Sequence, residues 1–192
     1  DYIFDAARTL GVNRLRFSTS IQQFELNNTP NPLEYFRKMK SKLIEFFDKC
    51  LRNGIVAGED CNFIPWCILI DEEREKYNTG FANLAQQYGT DFQPLGVNNA
   101  CLSGGHPIDI HPDLTLSRCF GMSEYTKTPV TMFRNLNDVH AYFRNQYDAP
   151  SMMLHMSSEC DSKCENYLAC SGSCLKYKLN GIMDIKSKLE SR

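Results

Sequence analysis

The sequence has almost no net charge and no long apolar run. Lysine and arginine number 21 against 23 aspartates and glutamates, for a net charge of −2. No basic field therefore draws in nucleic acid or an anionic membrane surface. No apolar stretch approaches the roughly 20 residues that span a bilayer. The opening DYIFDAARTLG lacks the basic region and apolar segment of a secretory leader. Internal repeats and low-complexity tracts are missing too. These absences lead us to expect a cytoplasmic globular chain with no nucleic-acid and no membrane partner. The first residue is not methionine, and we expect a chain that begins inside a longer protein.

Cysteine, by contrast, is abundant: nine in 192 residues, six of them from Cys101 onward. The count is odd and the chain is long for a disulfide framework. A reducing compartment retains thiols for metal or redox chemistry, so a metal or cluster site is the expected use.

Phe4, Ala7 and Leu10 recur at helical spacing before Gly11, and the stretch from Arg14 to Ser18 alternates as a strand does. Residues 19–31 are polar and turn-rich. Next, Asn31 can cap a helix, Pro32 suits its first turn, and Phe36, Met39, Leu43, Phe47 and Cys50 fall on one stripe that Gly54 ends. This helix–strand–helix run is a fragment of a repeating βα architecture, since one strand cannot close a sheet. Ile64 to Ile70 is expected to be a short strand or a buried loop, and residues 71–90 a helix with a charged, solvated start, DEEREK. Pro107 to Cys119 is the best hairpin, alternating on both sides of a turn at Pro112 and Asp113. A last helix is capped by Asn135, carries Leu136, Val139, Phe143 and Tyr147 on one face, and ends at Pro150. The fold class is α+β: a βα-barrel fragment followed by a small Cys-rich domain with a β-hairpin and helices.

The run CDSKCENYLACSGSC places Cys160, Cys164, Cys170 and Cys174 three, five and three residues apart. Close loop spacing lets several thiolates converge on an iron–sulfur cluster. The small Ser171, Gly172 and Ser173 let the backbone approach and donate N–H groups to cluster sulfur. Cys101 and Cys119 bracket the hairpin, which can bring them together across 17 intervening residues. Zinc is the alternative: Cys160–Cys164 and Cys170–Cys174 make two C-x3-C pairs. Only five residues separate those pairs, which is tight for a zinc site, and zinc leaves Cys101 and Cys119 without a role.

This pattern resembles the SPASM domain, the auxiliary-cluster domain at the C-terminus of radical S-adenosylmethionine (SAM) enzymes. The family's pattern is a Cys, a Gly-x4-Cys after a hairpin, C-x2-C-x5-C-x3-C, and a last Cys. Cys101, Cys119, Cys160, Cys164, Cys170 and Cys174 match in order, with one extra residue between Cys160 and Cys164. LGVNRLRFS and the long helix after it look like the last strand and helix of the radical SAM partial barrel. The resemblance implies barrel elements over 1–58, a connector over 59–99 and a SPASM-like domain over 100–192. It implies one or two [4Fe–4S] clusters, with Cys101, Cys119 and Cys174 on the one nearer the barrel and Cys160, Cys164 and Cys170 on the outer one. It implies a peptide or protein substrate, with the upstream radical SAM core as the other partner.

Three departures accompany the match. Leu114 stands where the family has glycine, so the turn is expected to shift its left-handed residue to Asp113. No cysteine follows Cys174, which leaves the outer cluster without a fourth thiolate. The C-x3-C-x2-C that binds the SAM cluster is also missing: after Cys160 and Cys164 the third position is Tyr167. SAM would reach the enzyme only through the missing N-terminal part, and this chain alone should not cleave it. Catalytic residues are unassigned.

Weaker signals take structural readings. Cys61 and Cys67 in GEDCNFIPWC are read as packing in a connector, with extra cluster ligation or a redox pair as the alternative. Cys50, on the helix stripe, is core. His106 and His111 are turn or surface histidines, although histidine can replace a thiolate in some clusters. Asp109, Asp113, Arg14 and Arg16 are solvated strand positions. Two other function classes stand beside the enzyme: a small iron–sulfur electron carrier and a zinc-stabilised Cys-rich interaction module.

Overall fold

The computed structural model describes residues 2–19, 31–60, 64–96, 108–154, 157, 159–160, 164–166, 170 and 174–190. It is a mixed α+β chain, with a parallel two-stranded sheet and an antiparallel three-stranded one. Among the described residues no helix is long and apolar enough to cross a membrane.

The chain opens with α1 (Tyr2–Thr9) and β1 (Arg14–Phe17). Leu10 lies past the end of α1 and is exposed. α2 (Pro32–Arg52) begins as its sequence dictates, with the Asn31 side chain accepting from the Leu33 N–H at 3.0 Å. Phe36, Leu43, Phe47 and Cys50 are buried and Met39 is partly so. Gly54 takes a φ of +66°, the left-handed stop that costs glycine little.

The next segment departs from expectation. Val56–Glu59 forms β2, paired parallel to β1 in the register Arg14↔Val56 to Phe17↔Glu59. β1, α2 and β2 thus make a β–α–β unit rather than a lone strand between helices. Val56, Ala57 and Gly58 are all buried, and a parallel strand covered on both faces carries no alternation to read. Trp66–Ile68 is one 3-10 turn, neither strand nor plain loop.

α3 (Asp71–Gln87) follows, with Tyr77, Phe81 and Ala85 buried. Its charged start is more than a solvated face. Glu73 accepts from the Ile70 N–H at 2.9 Å and pairs with Lys40 at 2.8 Å. The Arg74 side chain is 12% exposed, lies 4.2 Å from the Trp66 ring centroid, and donates to the Trp66 and Leu69 carbonyls. Tyr88, just beyond the helix, donates its hydroxyl to the Gly54 carbonyl at 2.7 Å. The first core is aromatic at its centre: Phe47 is wholly buried, with Phe17, Tyr77 and Phe81 ring centroids 5.1–5.9 Å away. Each such ring contributes roughly 1.5–3 kcal/mol by leaving water.

β3 (Asp109–Ile110) and β4 (Thr115–Ser117) form the expected hairpin, and β5 (Thr128–Pro129), unforeseen, adds a third antiparallel strand. The left-handed residue does not move to Asp113. Leu114 itself has a φ of +57°. Its N–H donates to the His111 carbonyl at 2.9 Å and its carbonyl accepts from Val130 at 3.0 Å, so its backbone is held from both sides. Asp113 instead takes the N–H and hydroxyl of Thr115, at 3.1 and 2.6 Å. Those bonds, with Lys127 nearby, hold its carboxyl down at about 2. Leu114→Gly should raise the unfolding free energy by about 0.5–1 kcal/mol, relief of the left-handed penalty less glycine's entropy. Urea denaturation checks it.

After α4 (Ser123–Thr126) comes α5 (Leu136–Phe143), capped by Asn135, whose side chain accepts from the Asp138 N–H at 3.1 Å. Val139, Phe143 and Tyr147 are buried as expected, but Leu136 is 65% exposed and lines a shallow hollow with Ile108, Ile110 and Phe133. Pro150 does not end this helix. The helix widens into a π turn over Arg144–Asp148 and runs on through α6 (Ala149–Ser151). A π turn already breaks the regular i→i−4 ladder, so proline's missing N–H is tolerated there.

Leu175–Lys178 is a 3-10 turn leading into α7 (Leu179–Glu190). Leu175, Leu179 and Ile182 join Leu116, Met122 and Phe143 in a second apolar core, while Cys174 and Tyr177 belong to the first. One short turn, with Cys174 just before it, thus ties the two cores together.

Candidate functional site

Cys50 is core, as expected: it is wholly buried and burial pushes its thiol up to about 12. Cys61, Cys101 and His106 lie outside the described residues, as do Ser171 to Ser173. Cys67 is exposed rather than packed in the connector. His111 is a turn histidine, its Nε2 lying 2.8 Å from the Ser117 hydroxyl. Arg14 and Arg16 alternate outward, Arg16 pairing with Asp60 at 2.7 Å.

Cys119 and Cys174 border the second core and the tying turn. Cys119 is half-buried and its carbonyl accepts from Met122 at 2.9 Å. Cys174 is buried, and its carbonyl accepts from Tyr177 at 3.0 Å. A Cβ added to Gly121 would stand 3.9 Å from the Cys119 sulfur and 3.6 Å from Lys176 Cδ, so the Cys119 loop abuts the turn that follows Cys174. The residue before Cys119 is anchored deeply. Arg118 donates from Nε to Asp148 Oδ1 at 2.6 Å, with side chains 1% and 9% exposed. Its N–H donates to the Thr126 hydroxyl at 3.2 Å. Neither this ion pair nor the burial of Lys178, which donates to the Ser151 carbonyl at 3.1 Å, was foreseen.

Cys160 lies beside the first core and Cys170 against the Trp66–Ile68 turn, while Cys164 is exposed. Cys160 packs against that core and its N–H donates to the Ser157 carbonyl at 3.0 Å. Cys170 accepts the Trp66 N–H on its sulfur at 3.4 Å. Arg37, on α2, pairs with Glu159 at 2.8 Å. That hydrogen bond raises the guanidinium's pKa, as do the charges of Cys67 and Cys160. The thiols also sense one another. Burial raises the Cys160 pKa first, and the charges of Cys67, Cys170 and Cys164 add to it. The Cys67 thiol is raised by desolvation at its own atom, although the residue as a whole is exposed, and then by Cys170 and Cys164. Thiolate repulsion of this kind becomes ligation when a cation is present. Among the described residues, however, no three His, Cys, Asp or Glu side chains are drawn together closely enough to hold an ion as they stand. The donor set is all-sulfur and has a backbone N–H on one sulfur, which suits an iron–sulfur cluster and also suits zinc.

Glu59, at the end of β2, holds the connector in place. Its two carboxylate oxygens accept from the Ile64 and Gly96 N–H groups, each at 2.8 Å. Gly96 has a φ of +79°, where a side chain would be strained. Burial outweighs the two hydrogen bonds and pushes the Glu59 carboxyl up to about 7 from an ordinary 4.5. In the window between those values the unfolded chain has released this proton and the folded chain has kept it. Stability from this group is therefore full below about 4.5, falls as pH rises to about 7, and is flat beyond. Urea unfolding at several pH values should show that fall in the wild type and a flatter profile in Glu59→Gln.

No family model, no curated protein and no solved structure gives a significant match to this chain.

Proposed function

We propose that this chain is the C-terminal part of a cytoplasmic radical SAM enzyme of the SPASM type, which modifies a peptide or protein substrate. The observation that carries the proposal is the contact between the Cys-rich run and the connector turn, a backbone N–H of Trp66 lying on the Cys170 sulfur. Two features lend support. The β1–α2–β2 unit is parallel, as a piece of a βα barrel must be. The left-handed residue at Leu114 falls where the SPASM pattern has glycine. On this reading residues 100–192 carry auxiliary clusters, with Cys119 and Cys174 joined by Cys101 on the inner one. Such a cluster, when bound, supplies a one-electron relay or an open iron site for substrate. The chain's own residues hold it: sulfur ligands from the loops, the Trp66 N–H to stabilise negative charge on sulfur, and the Arg118–Asp148 pair to fix the Cys119 segment.

Anaerobic reconstitution tests this reading. The purified chain should take up roughly four to eight iron atoms and as many sulfides, with the broad visible absorption of [4Fe–4S] clusters. Stoichiometric zinc without sulfide would instead identify a zinc-stabilised interaction module.

A further inference from the structure

We propose that Cys67, from the connector, is the fourth thiolate of the centre formed with Cys160, Cys164 and Cys170. This rests on the reading of those three as ligands of one metal centre.

Three observations bring Cys67 to that place. The Trp66 N–H, on the residue just before it, donates to the Cys170 sulfur at 3.4 Å across 104 residues of sequence. α2 packs against the turn that carries Cys67, and its Arg37 pairs with Glu159, the residue before Cys160, at 2.8 Å. Asn31, at the start of the same helix, donates its side-chain N–H to Glu159 at 3.4 Å. Cys50, by contrast, is wholly buried in the helix core. Cys119 and Cys174 abut a different turn.

The chemistry fits. A cubane cluster takes four thiolates, and the loop run from Cys160 to Cys170 supplies three. The connector turn already touches Cys170 through the Trp66 N–H, so the next residue, Cys67, is placed to supply the fourth thiolate. Cys67 is exposed and sits on a one-turn 3-10 helix, so its sulfur can reach a centre at the surface without disturbing the core. The turn itself is braced: Arg74 stacks on Trp66 and donates to its carbonyl at 2.8 Å. The connector would close the site. A bound centre would then cross-link the connector to the Cys-rich segment.

The test uses the full chain, reconstituted anaerobically with iron and sulfide, as wild type, Cys67→Ala and Cys61→Ala. Metal, sulfide and the electron paramagnetic resonance (EPR) spectrum of the reduced protein are recorded, with circular dichroism as the folding control. Cys67→Ala should keep its fold, lose about one cluster's worth of iron (four atoms) or show a shifted EPR signal with faster loss of iron in air. Cys61→Ala should match the wild type. A Cys67→Ala protein with wild-type iron content, EPR signal and air stability would overturn the assignment, and so would loss confined to Cys61→Ala. If the wild type binds zinc alone and Cys67→Ala loses it, Cys67 stands as a ligand while the iron–sulfur reading falls. If the wild type takes up neither metal, both fall.

Discussion

Cys170→Ala is expected to cost the reconstituted chain about four iron atoms and four sulfides, a full cluster's worth. The effect is large because Cys170 lies at the meeting point of two segments. Its sulfur accepts the N–H of Trp66, 104 residues earlier in the chain. Removing one thiolate of four leaves an iron with an open position, and clusters so exposed degrade in air. Cys50→Ala is the matched control. That thiol is wholly buried and pushed up to about 12, so its loss should lower stability through a small cavity and leave the iron unchanged. On the radical SAM reading proposed above, a protein that joins this chain to a SAM-cleaving core should, as Cys170→Ala, still cleave SAM yet form no modified product. The comparison needs only iron and sulfide analysis and a SAM cleavage assay on the same preparations. Unchanged iron in Cys170→Ala would remove that cysteine from the ligand set.

Arg118→Met should lower the unfolding free energy by about 3–5 kcal/mol. Arg118 and Asp148 are almost fully withdrawn from water, and the 2.6 Å bond between them sets each charge against the other. Methionine fills much the same volume but strands the Asp148 carboxylate in a low-dielectric site. The double variant Arg118→Met/Asp148→Leu should recover most of the loss, because a well-packed apolar pair can match a buried ion pair. Urea denaturation of the single and double variants gives the coupling directly. Arg118 is bonded in sequence to Cys119, so the single variant should also loosen the Cys119 loop. Thiol alkylation of Cys119 should be faster in Arg118→Met than in the wild type.

The parts of the fold legible in the sequence are those decided by neighbours along the chain. Asn31, Pro32 and the stripe to Cys50 define α2 within one helix, and the alternation around Pro112 and Asp113 defines the hairpin. β2 was not legible because both its faces are covered, so its residues do not alternate. The turn at Leu114 was misplaced because local preference favoured Asp113, whereas the Leu114 N–H donating to the His111 carbonyl and the Val130 N–H donating to the Leu114 carbonyl hold the backbone there. The extension past Pro150 depends on a π turn that no propensity signals. At the candidate site, the run from Cys160 to Cys174 was plain from spacing alone. Cys67 was legible only as the alternative reading, because its neighbourhood with Cys170 exists only once the connector folds back over more than 100 residues. Arg118 and Asp148 were hidden for the same reason: two charges 30 residues apart carry no local mark of burial.

X-ray absorption at the iron and zinc edges of the anaerobically purified, reconstituted chain tests the central claim most directly. If these cysteines hold an iron–sulfur cluster, the iron edge should show a shell of sulfur neighbours together with a shell of iron neighbours. A four-sulfur shell at the zinc edge, with no iron–iron shell, would contradict it.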